Sequence, residues 1–125
     1  LNYRKKLASN YFKLLKNYKH LILLPDEKQI NLSSWHLFNV RVDFSKFSIN
    51  KHKLFNYMKK NKIYLQQHYI PINFFKYPQN CENLLGSKNF FLNSFTLPIH
   101  FNLNKKDQIR VVKKLVNFLE KHYKK

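Results

Sequence analysis

Trp35-His36-Leu37-Phe38-Asn39-Val40-Arg41-Val42-Asp43-Phe44 places apolar residues at every even position from Phe38 to Phe44 and sets Asn39, Arg41 and Asp43 between them. In an extended chain successive side chains point to opposite faces, so a period of two predicts a strand with one buried face and one wet face. Such a strand needs partners. The sequence supplies two further candidates: Ile63 to His68, and Ser94-Phe95-Thr96-Leu97, which Pro98 stops because it has no N–H to offer a ladder.

The segments around these strands carry helical spacing. Tyr3, Leu7, Tyr11, Leu14, Leu15 and Tyr18 recur at steps of three or four and predict a first helix to about Tyr18. A short apolar piece, Leu21 to Leu24, then meets a turn at Pro25-Asp26-Glu27. Asn50 is a good N-cap for a second helix that buries Leu54, Phe55 and Met58, and Asn61 is expected to take the left-handed conformation that ends it. From Pro71 to Leu85 the chain reads as an irregular loop pinned by Phe74, Phe75 and Tyr77, followed by a short helix around Lys88 to Leu92. The last helix has Asn104 as its cap, Asp107 three residues on, and a stripe of Ile109, Val112, Leu115, Val116, Leu119 and Tyr123. At 125 residues one core is expected, giving an α/β fold in which helices cover a small, three-stranded antiparallel sheet.

The formal charge of +18 suggests a polyanionic partner, and a stand-alone basic module that binds nucleic acid is the alternative reading. The kind of basic residue argues against it. Of 24 basic residues only Arg4, Arg41 and Arg110 are arginine, whereas planar bidentate recognition of phosphate and guanine favours arginine over lysine. With 16 Asn, 12 Phe and the single glycine Gly86, the composition matches a gene rich in A and T codons, which explains much of the lysine. The longest apolar runs fall well short of the roughly 20 residues that span a bilayer, so no membrane segment is expected. A lone cysteine, Cys81, permits no internal disulfide and no thiolate cluster, in keeping with the cytoplasm.

Candidate chemistry is sparse. The six histidines show no short metal-binding spacing, and with six acids in the chain no metal site is expected. Asp26 and Glu27 are adjacent in a turn, where their side chains diverge, so they make no acid/base pair. Histidines at strand ends carry more. His36 enters the first strand, and His68 and Tyr69 leave the second just before Pro71 turns the chain. Imidazole and phenol there can hydrogen-bond a sugar hydroxyl or a phosphate oxygen, or can simply seal the sheet.

Three short segments occur in an order that matches a known family: Ser34-Trp35-His36-Leu37-Phe38, then Gln66-Gln67-His68-Tyr69-Ile70-Pro71-Ile72, then Phe95-Thr96-Leu97-Pro98-Ile99-His100 ahead of the capped helix. This resembles the C-terminal part of the DegT/DnrJ/EryC1/StrS sugar-nucleotide aminotransferases, with their His-Leu-Phe or His-Leu-Tyr strand start, their Val-His-Tyr-x-Pro strand end and their Ser-Leu-Pro-Leu-His segment. The match runs from about Tyr3 to the end. Ser33-Ser34 and Asn102-Leu103-Asn104 point within it to the members serving pseudaminic acid synthesis. It departs from the pattern at Asn61-Lys62, Gln67 and Phe101.

The resemblance implies that residues 1–125 are the C-terminal small domain of a longer fold-type I enzyme, dependent on pyridoxal 5'-phosphate. Leu1, already inside a helical pattern, agrees with an upstream large domain. That domain would hold the cofactor and the catalytic lysine, so no catalytic residue is expected here and the piece alone should not turn over. The reaction implied moves an amino group from an amino-acid donor, glutamate, to a 4-keto sugar nucleotide in a homodimer. His68 and Tyr69 would be substrate-binding, with Pro71 fixing their exit and His36 nearby.

Overall fold

In the computed structural model, which describes residues 2–71, 74 and 84–125, the alternating stretch yields a strand shorter than its pattern. β1 spans Phe38–Arg41. Before it, Trp35 has φ 50°, a left-handed turn that swings the chain into the sheet. After it, Asp43 accepts hydrogen bonds from the Ser45 amide (3.2 Å) and hydroxyl (2.6 Å), starting a 3-10 turn at Phe44–Lys46 in place of further strand. The even positions Phe38, Val40 and Val42 are buried as the alternation requires.

The helices come in chain order as α1 (Asn2–Leu15), α2 (Lys51–Lys60), α3 (Leu85–Asn93) and α4 (Lys105–His122), with a 3-10 turn extending α1 to Tyr18. β2 (Ser94–Leu97) runs antiparallel to β1, with Phe38 opposite Leu97 and Arg41 opposite Ser94. α1 and α4 pack on each other, and the rings of Tyr11 and Phe12 reach Phe38 at 5.1 and 5.2 Å. Each such buried aromatic contributes about 2–3 kcal/mol of transfer free energy.

The expected third strand does not form. Ile63 to His68 pairs with β2 at one point, where Gln66 and Thr96 exchange amide-to-carbonyl bonds of 3.2 and 2.7 Å. In that register Tyr64 would face Pro98, which has no N–H to donate, while Ile63 N–H bonds the Met58 carbonyl and Lys62 N–H the Lys59 carbonyl, the two bonds that close a helix through a left-handed residue. That residue is Lys62, at φ 57°, and not Asn61, whose φ is −87°. A second isolated bridge joins Leu23 to Arg41 on the other edge of β1. Four antiparallel segments therefore lie in the order Leu23, β1, β2, Gln66, and the middle two form the two-stranded sheet.

Both predicted caps are present. Asn50 accepts from Lys53 N–H at 3.0 Å, and Asn104 and Asp107 make a reciprocal capping box. In α4 the buried set includes Val111 and Gln108, whereas Ile109 is exposed. α3 is longer than its predicted core and buries none of its residues. Of the aromatics expected to pin the preceding loop, Phe74 is half exposed, and Phe75 and Tyr77 lie outside the described residues, as does Cys81.

Candidate functional site

The face of the sheet turned away from the Tyr11 and Phe12 rings carries its polar row. Asn39 stands opposite Thr96 in the β1–β2 register, and Thr96 stands opposite Gln66, so these three residues lie side by side across the sheet. Thr96 is buried, and the Asn39 Oδ1 atom is buried with no hydrogen-bond partner among the described residues. Gln66 and Thr96 of this row line a cleft of about 450 Å³ whose walls also include His36, His100 and, from α4, Asp107 and Arg110.

The register separates the three histidine and tyrosine candidates. His36 precedes Phe38, which faces Leu97, so it lies at the Pro98 end of β2 and lines the cleft with His100. His68 follows Gln66, which faces Thr96, so it lies toward the Ser94 end. The four residues of β2 span roughly 10 Å at about 3.3 Å each, and Thr96 links the two ends: it lines the cleft and its Oγ1 is 3.4 Å from His68 Nδ1. Tyr69 sits edge-on to the His68 ring at 4.9 Å and is 77% exposed. His68 and Tyr69 are thus neighbours beside β2 but are not among the residues that line the cleft, whereas His36 is.

Each imidazole has a neighbour that decides what it can offer. Arg4 Nη1 is 3.2 Å from His36 Nδ1, and a guanidinium can only donate, so Nδ1 accepts and His36 keeps its hydrogen on Nε2. The Arg4 guanidinium also lies 5.1 Å above the Phe101 ring. On the opposite wall, Arg110 donates to the Asn61 carbonyl and Asp107 is engaged in the α4 cap.

The residue before His68 is braced against α3. Gln67 Nε2 donates 3.0 Å to the carbonyl of Phe91, and the Lys51 ammonium bonds the same carbonyl and lies 4.6 Å over the Phe91 ring. Burial pulls the Lys51 ammonium down to about 8. Among the described residues no group of three His, Cys, Asp or Glu is placed to hold a metal ion, and no helix is long and apolar enough to cross a membrane.

Residues 1–116 match the DegT/DnrJ/EryC1/StrS aminotransferase family. The chain belongs to that family. The fold agrees: Helicobacter pylori PseC, an aminotransferase involved in pseudaminic acid biosynthesis, superposes with a TM-score of 0.80 at 20% identity, over 96% of this chain and 33% of that one. Streptoalloteichus hindustanus aminotransferase TlmJ gives 0.81 at 17% identity, covering 97% and 32%. The PLP form of Streptococcus pneumoniae Spr1654, a putative sugar aminotransferase, gives 0.76 at 19%, covering 96% and 31%. The chain spans about a third of the length of these solved structures. No curated protein matches it.

The sequence reading of strand ends named His36, His68 and Tyr69 and did not single out the residues that lie against them, Arg4 beside His36 and Thr96 beside His68. Thr96 was legible as a polar residue within a buried strand, and Arg4 as one of three arginines. Lys51 carried no signal, because nothing in the sequence places it against Phe91.

Proposed function

We propose that this chain is the C-terminal small domain of a PLP-dependent enzyme that transfers an amino group from glutamate to a 4-keto sugar nucleotide, acting in the cytoplasm as a homodimer. The observation that supports the reading is the match of residues 1–116 to the aminotransferase family. Ser33-Ser34 and Asn102-Leu103-Asn104, with the PseC likeness, favour a sugar of the pseudaminic acid route.

Lys51, the lysine whose ammonium is depressed, is committed to the carbonyl and ring of Phe91 and is not offered as the cofactor's lysine. The cofactor, which supplies the electron sink for amino transfer, is therefore assigned to the rest of the protein, and no step is given to a lysine of this chain.

The part left to these residues is binding and orientation. His68 and Tyr69 would contact the sugar end of the substrate beside the cleft. His36, with a fixed Nε2–H, would donate to an oxygen within it. Exposed lysines are carried on α1, α2 and α4 alike, among them Lys13, Lys59 and Lys113, as solvated helix backs require.

The test uses the intact polypeptide that contains this chain: glutamate and a UDP-4-keto sugar are supplied, and the aminated product is read by mass. Absence of amination with every 4-keto sugar nucleotide tried would sink the proposal. His68→Ala should weaken sugar-nucleotide affinity while the melting temperature holds. A fall in stability alone would return His68 to a structural role.

A further inference from the structure

Thr96 makes a contact that fixes the direction of a hydrogen bond. Its Oγ1 lies 3.2 Å from the Gln66 carbonyl oxygen, which also accepts the Thr96 amide at 2.7 Å. A carbonyl oxygen carries no hydrogen, so the hydroxyl must be the donor there. Its one hydrogen is then spent. Toward His68 Nδ1, 3.4 Å away, the same oxygen has only lone pairs to offer. Thr96 is 3% exposed, so water does not compete for this geometry.

We propose that Thr96 is a positioning residue that holds His68 in its Nδ1–H tautomer, so that the neutral ring turns the Nε2 lone pair to the ligand and selects a hydrogen-bond donor, a hydroxyl or amide N–H of the sugar. A phosphate oxygen, which needs a donor, is not what this tautomer reads. The two histidines are then complementary: His36 offers Nε2–H and His68 offers an Nε2 acceptor. The ligand half of the proposal rests on the sugar-nucleotide reading, whereas the tautomer does not.

The experiment labels the chain with ¹⁵N-histidine and records long-range ¹H–¹⁵N correlations at a pH where the ring is neutral, with His68→Asn assigning the signals. The wild type and Thr96→Ser should show His68 protonated on Nδ1, and Thr96→Val, which keeps the shape and removes the oxygen, should shift it toward Nε2–H. A merely structural threonine would not give this rescue by serine. Nε2–H in the wild type, or unchanged Nδ1–H in a folded Thr96→Val, overturns the proposal. Should Thr96→Val fail to fold, the wild-type tautomer alone decides.

A second arm titrates the intact polypeptide with UDP-N-acetylglucosamine and with UDP. Thr96→Val should weaken the first by about fivefold, the worth of one hydrogen bond, and leave UDP unchanged. An equal loss for both probes overturns the selection of a sugar donor. Failure of the wild type to bind either probe counts against the sugar-nucleotide reading and leaves the tautomer standing on its own signal.

Discussion

Tyr11 donates its hydroxyl at 2.8 Å to the carbonyl of Pro98, tying the middle of α1 to the residue that stops β2. The ring is fully buried against Phe38. Burial raises the phenol well above its ordinary range, an effect that the nearby Gln108 amide offsets in part. Tyr11→Phe removes the donor and keeps the packing, so it should cost about 1–2 kcal/mol in urea unfolding. Because the folded pKa is raised, the stabilisation is complete below the unfolded phenol's value near 10 and is lost as pH rises above it. The wild type should therefore lose stability above about pH 10 more steeply than Tyr11→Phe, as read by urea melts across that range.

Lys51 titrates in the opposite sense. Burial lowers its folded value to about 8, against 10.5 for an exposed lysine. Between those values the unfolded chain binds the proton that the folded chain has released, so stability should rise with pH from about 8 to about 10.5. Lys51→Met keeps the stem over Phe91 and removes the charge. Urea midpoints measured every half unit should show that rise in the wild type and a flatter course in the variant. An identical slope in the two would place the effect on another group.

Asn104 and Asp107 begin the helix that supplies Asp107, Arg110 and Val111 to the cleft wall. Asn104 Oδ1 accepts the Asp107 amide at 2.9 Å, and the Asp107 carboxylate reaches back to the Asn104 amide at 3.4 Å. Asn104→Ala should cost about 1 kcal/mol and Asn104→Asp much less, since aspartate caps equally well. The long return bond predicts a smaller loss for Asp107→Ala. The double variant should fall short of the sum, because the two bonds belong to one motif.

The fold was legible wherever local chemistry decides it. Alternation located β1, Pro98 closed β2, and Asn50 and Asn104 each began a helix, because these signals act within a few residues. The fold was not legible where pairing depends on a partner distant in the chain. Tyr64 would face Pro98, which has no N–H for a ladder, and the third strand shrinks to the Gln66 bridge. The candidate site was half legible for a related reason. Strand-end position is written in the sequence, whereas the contacts of Arg4 with His36 and of Thr96 with His68 join residues 32 and 28 positions apart.

That single bridge makes a prediction about how His68 is held. Gln66 and Thr96 donate to each other's carbonyls, and Ile63 donates to Met58, so these three amides should be protected from hydrogen exchange. His68, which would face Ser94 in a continued ladder, has no such backbone bond among those described and should exchange far faster than a true strand would allow. His68 is then held by its side chain through Thr96 and by Gln67 reaching the Phe91 carbonyl, more than by backbone pairing. Gln67→Ala should leave Gln66 and Thr96 protected, lower the affinity for a sugar nucleotide severalfold in the intact polypeptide, and change global stability by less than about 1 kcal/mol. Residue-resolved exchange measured beside the titration checks both halves, and strong protection at His68 would restore the third strand.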